Sequence, residues 1–194
     1  MSRKRQEAPG RLELVRTFVN TVDLEDGSDE MADAGRLARW LTERELLEPD
    51  AKVGEKDVAR ALEVREALRS QLRANNGADR DQTAVDALHA AARRAGIGLR
   101  FDRGGSRLEP EAGGVDGALG RLLTIVHAAE HDGTWRRLKA CPWHTCHWAF
   151  YDHTKNASGV WCTMEVCGNR AKVKAYRERH AHAGGQPPDR ARDH

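Results

Sequence analysis

The chain reads as a mainly α protein with a small β-hairpin: a helical N-terminal domain followed by a C-terminal treble-clef-like or ribbon-like zinc finger. Three observations predict this. Apolar residues recur at helical spacing through most of residues 11–131. Two short alternating runs flank Arg103-Gly104-Gly105. All four cysteines fall between 141 and 167, as two pairs with the same x4 spacing.

Taken in order, residues 11–22 place Leu12, Val15, Phe18, Val19 and Val22 on one helical face. Leu37, Trp40, Leu41, Leu46 and Leu47 predict a second helix ending before Pro49. Residues 55–75 give the clearest helix, lined by Val58, Ala61, Leu62, Leu68 and Leu72 and stopped by Asn75-Asn76-Gly77. A fourth helix covers 80–95, with Val85, Leu88 and Ala92 inward. Gly98 to Asp102 and Ser106 to Glu109 form the hairpin. Residues 115–131 form another helix, with Leu119, Leu122, Leu123 and Val126 on its apolar side, and it runs almost directly into the cysteine segment. Asp152 to Gly159 is turn chemistry. From Met164 to about His182 the chain turns helical again, with Ala171, Val173, Ala175 and Tyr176 expected on the packing side. The expected organisation is a helical domain over 1–133, a finger over 134–182 and an unstructured tail over 183–194, which carries Gly184-Gly185-Gln186-Pro187-Pro188.

At 194 residues the chain can bury a core of its own. No apolar run reaches the roughly 18–20 residues of a membrane span. Met1-Ser2-Arg3-Lys4-Arg5 has no apolar segment behind it, so a secretory signal is not expected and the cytoplasm is the expected location. The formal net charge of +2 hides an asymmetry: residues 1–133 hold 21 Lys and Arg against 25 Asp and Glu, whereas 134–182 hold 9 against 3. A local cationic excess of that kind attracts polyanions.

The cysteines coincide with that basic segment. They read Cys141-x4-Cys146, fifteen intervening residues, then Cys162-x4-Cys167. Disulfides are disfavoured in a reducing compartment, and four thiolates close a tetrahedral shell around one Zn²⁺ with no open position. Such a zinc is structural and supplies folding free energy to a segment too short for its own core. His144, His147 and His153 lie within or beside the first pair, so a shell of three cysteines and one histidine is an alternative. Trp143, Trp148, Phe150, Tyr151 and Trp161 are expected to pack around the metal, with base stacking as the sharper reading. Arg170, Lys174 and Arg177 share one face of the last helix, and Lys172 and Arg179 broaden it.

Cys141-x4-Cys146, Trp148-x-Phe150-Tyr151-Asp152, Lys155-Asn156, Trp161-Cys162-x-Met164 and Cys167-Gly168-Asn169-Arg170-Ala171-Lys172 together resemble the CGNR zinc finger. The N-terminal part is similar to its companion, the ABATE domain of stress-induced bacterial transcription regulators, through Phe18-Val19-Asn20-Thr21, Leu37-x-x-Trp40-Leu41 and Arg65-Glu66-Ala67-Leu68-Arg69. The resemblance implies a zinc-dependent regulator that binds double-stranded DNA, with the four cysteines as ligands. The residues expected to meet nucleic acid are Lys155, Asn156, Asn169, Arg170, Lys172, Lys174, Arg177 and Arg179. Where relatives commonly carry basic residues before the Trp-Cys pair, Gly159 and Val160 stand here, which removes charge from one side of that surface.

Asn20, Arg65 and Arg69 are polar residues on or near apolar helix faces. A buried Arg needs an anionic partner, either a carboxylate of the chain or a ligand. With the regulatory role that the resemblance implies, the three suggest a small-molecule effector pocket. A homodimer is a further expectation, because one short basic helix carries little specificity. No enzyme is expected. His127-Ala128-Ala129-Glu130-His131 spells a zinc-peptidase pattern, but no third ligand or cleft accompanies it. No nucleophile elbow, phosphate loop or dinucleotide fingerprint occurs.

Overall fold

The computed structural model describes residues 7–183, with side chains to residue 180. The Met1–Arg5 lead and the expected tail beyond Ala183 lie outside the described residues. Contacts divide the chain into two units between Cys162 and Thr163. The expected boundary at 133/134 does not coincide with that edge.

The first unit opens with α1 (Leu12–Val19), α2 (Ala34–Thr42), α3 (Glu55–Ala74) and α4 (Gln82–Ala95). A hairpin of β1 (Ile97–Asp102) and β2 (Gly105–Pro110) follows, then α5 (Gly114–His131). A second hairpin pairs β3 (Leu138–Ala140) with β4 (Ala149–Tyr151). The second unit contributes a wide helical turn at Met164–Gly168 and α6 (Asn169–Ala183).

Local chemistry sets the helix ends. The Asp33 carboxylate caps α2 by accepting from Arg36 N at 2.8 Å, and the Asp81 carboxylate caps α4 from Thr83 N at 2.9 Å. Before α3, Asp57 reaches back to accept from Gly54 N at 2.9 Å. Gly96 ends α4 in the left-handed conformation at φ 59°, which a glycine adopts without a side-chain penalty. The second helix stops earlier than its apolar pattern suggested. Glu45 turns the chain at φ 57°, and Leu46 N caps back onto Leu41 O at 2.9 Å. Leu46 and Leu47 are buried all the same, but from a loop.

One core runs through this unit. Val15, Phe18 and Val19 of α1 meet Leu37 and Leu41 of α2, Val64, Leu68 and Leu72 of α3, and Leu119 and Leu122 of α5. Phe18 and Trp40 meet edge to face, with ring centroids 5.5 Å apart. Leu138, Ala140, Ala149 and Tyr151 belong to the same core. Of the aromatic residues in the cysteine segment, Tyr151 is buried with the body, Phe150 is buried without belonging to that core, and Trp143, Trp148 and Trp161 are half-buried. The first hairpin has the register Ile97↔Pro110 to Asp102↔Gly105 and leaves Leu99 and Phe101 exposed.

Candidate metal centre

The second hairpin builds the first half of the site. Leu138, Lys139 and Ala140 pair antiparallel with Tyr151, Phe150 and Ala149. Cys141 N extends the ladder by one rung, donating to Trp148 O at 3.0 Å. The connection then tightens: Cys146 N donates to Trp143 O at 2.9 Å, and His147 turns the chain back at φ 48°. This tight connection carries Cys141 and Cys146 together. On the second pair, Gly168 N donates to Thr163 O at 3.1 Å and winds the turn that carries Cys167.

The four sulfurs, from Cys141, Cys146, Cys162 and Cys167, all lie within 4.8 Å of one another. The Cys146 and Cys162 Sγ atoms are 3.6 Å apart. A tetrahedral zinc with Zn–S bonds of about 2.3 Å has S···S edges of about 3.8 Å, whereas a disulfide needs about 2.05 Å. None of the four cysteines is in a disulfide. The geometry fits one structural Zn²⁺ and excludes paired disulfides in this arrangement. It also favours the all-cysteine shell over one that recruits a histidine. His153 Nε2 lies 2.9 Å from Glu7 O, His144 is exposed, and the carbonyl of His147 accepts from Arg69 Nη1 at 3.0 Å.

Crowding the thiols has an electrostatic consequence. Hydrogen bonds from Cys146 and then Cys162 stabilise a thiolate at Cys141 and pull it well below the ordinary thiol range. The same contact with Cys141 pushes Cys146 and Cys162 upward. Sulfurs this close cannot all ionise without a cation between them, and a divalent ion removes the conflict.

A buried buckle holds the chain between the two cysteine pairs. Lys139 Nζ donates to Asp152 Oδ2 at 2.8 Å, Ala157 O at 2.7 Å and Gly159 O at 2.8 Å. Asp152 also accepts from Thr154 N at 2.9 Å and Gly159 N at 2.7 Å. Burial works to raise the Asp152 pKa, but the bonds from Lys139, Thr154 and Gly159 outweigh it and bring it down to about 2. A side chain at 159 would put its Cβ 2.7 Å from Asp152 Oδ1. Gly159 is therefore required by the close approach of that carboxylate, whatever charge its absence of side chain removes. Arg137 adds bonds from Nη1 to Asp152 O at 3.1 Å and Thr154 O at 2.7 Å. Residues 152–159 form the expected turn, and nothing in the sequence singles out the lysine that buckles it.

The helical body grips the second hairpin with the residues expected to bind an effector. Asn20 Nδ2 donates to Ala149 O at 2.9 Å, and Asn20 Oδ1 accepts from Ala149 N at 2.7 Å. Arg69 donates to Val19 O at 2.6 Å and to the His147 carbonyl already noted. Arg65 makes a two-pronged pair with Asp29, at 2.8 and 2.9 Å. Each of the three is satisfied by the protein itself, and none lines a described cavity. In this structure Asn20, Arg65 and Arg69 are buried fasteners within the protein. A cavity of about 670 Å³ opens elsewhere, beside Arg11, Leu12, Leu99, Arg107, Ile125 and His127. The helix stop at Asn75-Asn76 does more than end α3. Asn75 Nδ2 donates to Trp135 O and Leu138 O, both at 2.9 Å. Asn76 Nδ2 donates to Ala140 O at 2.9 Å and Val160 O at 2.8 Å.

The basic residues are exposed. Lys155 and Asn156 sit on the 152–159 turn of the first unit. Asn169, Arg170, Lys172, Lys174, Arg177 and Arg179 lie along α6 in the second. The packing side expected of α6 is only half present. Ala171 and Ala175 are partly covered, but Val173 is 48% and Tyr176 57% exposed. The His127 and His131 rings touch, tilted to each other with centroids 4.2 Å apart, and His131 Nδ1 lies 3.0 Å from His127 O. Among the described residues, the cysteine quartet is the group of three or more candidate ligands that converges.

The CGNR zinc finger family matches residues 137–180. The ABATE family, described as "Putative stress-induced transcription regulator", matches residues 12–144. No curated protein matches the chain significantly. No helix among the described residues is long and apolar enough to cross a membrane. The finger match spans the buckle and both cysteine pairs, the regulator match spans the helical body, and the chain belongs to the ABATE family and carries a CGNR zinc finger.

Proposed function

We propose that the protein is a cytoplasmic transcription regulator that binds double-stranded DNA through its zinc-held 134–182 segment. The observation that carries this reading is the exposed cationic surface of α6, which begins two residues after the last zinc ligand. Zinc, when bound, supplies a rigid crosslink and no reaction step: all four positions are filled by sulfur. Lys155, Arg170, Lys172, Lys174, Arg177 and Arg179 meet phosphates, and Asn156 and Asn169 offer hydrogen bonds to phosphate or base edges. A homodimer would set two such helices on successive half-sites, which sedimentation of the DNA complex reads directly.

With about six phosphate contacts, log affinity falls with log salt at a slope near −5, or about 10³-fold between 50 and 200 mM. Anisotropy of a labelled random-sequence duplex at those two salt concentrations tests this. No binding at 50 mM, or binding indifferent to salt, contradicts the proposal. Stronger binding to RNA of the same length redirects it to RNA.

A further inference from the structure

We propose that α6 reads base sequence with an uncharged stripe, Val173 and Tyr176 bracketed by Asn169 and His180, whose apolar members meet thymine methyl groups in the major groove. The proposal rests on the DNA reading above and goes beyond its phosphate contacts. Val173, Tyr176 and His180 stand at i, i+3 and i+7, with Asn169 one turn before Val173, so the four form one line along the helix. The two apolar members are exposed, at 48% and 57%. Arg170 and Arg177 run along one flank of the line, and Lys172 and Arg179 along the other, each pair seven residues apart. Lys174 stands beside the Arg170 and Arg177 flank, with Glu178 3.9 Å away on the side of the helix opposite the stripe. The Tyr176 and His180 rings touch along the stripe, tilted to each other with centroids 4.2 Å apart.

An apolar line between two cationic rails suits a groove with phosphates on both walls. A second copy of this chain does not suit it, because face-to-face packing would bring four cations from each helix together. The major groove of B-DNA admits an α-helix, and thymine alone among its bases presents a methyl there. A-form RNA closes its major groove to side chains. From Asn169 to His180 the helix rises about 16 Å, which is about half a turn of B-DNA and covers four or five base pairs.

The test uses the zinc-loaded full chain and a duplex enriched by it from a random pool, compared with the same duplex carrying deoxyuridine for thymine. Loss of one buried methyl weakens binding about 4-fold. The wild type should lose about 4-fold or more on the deoxyuridine duplex. Val173→Ala and Tyr176→Ala should bind the enriched duplex more weakly and no longer distinguish the two duplexes, with zinc content and salt slope unchanged. Arg177→Gln with Arg179→Gln should lower the salt slope by about two and keep the discrimination. Equal wild-type affinity for both duplexes overturns the proposal while leaving salt-dependent DNA binding standing. Discrimination that survives both alanine variants also overturns it. Absence of any salt-dependent duplex binding instead removes the reading on which it rests.

Discussion

Replacing Lys139 by Met isolates the buckle between the cysteine pairs. The Lys139 and Asp152 side chains are 7% and 1% exposed, so removal of the ammonium leaves a buried carboxylate facing two carbonyls that have also lost their donor. Bringing Asp152 down to about 2 from an ordinary value of about 3.9 means that its surroundings favour the charged form by about 2–3 kcal/mol. Breaking one half of a buried pair costs about 3–5 kcal/mol in general. The bonds to Asp152 from Thr154 and Gly159 survive the change, so the lower end, about 3 kcal/mol, is expected. Methionine follows the lysine stem closely, so little of this comes from a cavity. Urea unfolding at pH 7 and fixed free zinc measures the loss. Adding Asp152→Asn to Lys139→Met should restore part of it, since the stranded charge is then gone. A loss under about 1 kcal/mol, or no recovery in the double variant, refutes the buckle as a source of stability.

Other outcomes follow from the same geometry. Asn20→Ala strands the buried Ala149 N–H and C=O and should cost about 2–4 kcal/mol by urea titration, with zinc still bound. Gly120→Ala places a Cβ 2.6 Å from Ala95 Cβ and 2.8 Å from Pro110 Cβ, so overpacking should lower stability by about 1–3 kcal/mol. Asp29 is held below the ordinary carboxylate range: burial opposes this, and hydrogen bonds from Arg65 and Met31 N outweigh it. A depressed folded-state pKa stabilises the fold above the unfolded value, near pH 4, and the benefit fades as pH falls further. The denaturation midpoint should therefore fall below pH 4, and Asp29→Asn should flatten that fall.

Much of this protein can be read before any coordinates are known. Helices with a sustained apolar period, such as α3 and α5, fall where the sequence places them, and for α3 the Asp57 cap agrees with that period. The cysteine quartet is equally plain, because ligand spacing is a local property. What escapes is long-range pairing. Asn20 and Ala149 are 129 residues apart, and nothing local distinguishes an asparagine that fastens a strand from one that binds a ligand. Arg65 and Arg69 are open to two readings for the same reason: a buried guanidinium announces a partner without saying whether the partner is a carboxylate, a carbonyl or a ligand. Val173 and Tyr176 misled in the opposite sense, since apolar residues at helical spacing read as core whether or not anything covers them.

The proposed DNA binding requires one zinc, held by four sulfurs, to make the cationic helix usable. Anisotropy of a labelled duplex during stepwise chelation and restoration of zinc, with metal content read on the same samples, tests this most directly. DNA binding should fall in proportion to the loss of one zinc per chain, return when zinc is restored, and fail to return in Cys162→Ser. Affinity that persists in the zinc-free protein, or a chain that never held stoichiometric zinc, contradicts it.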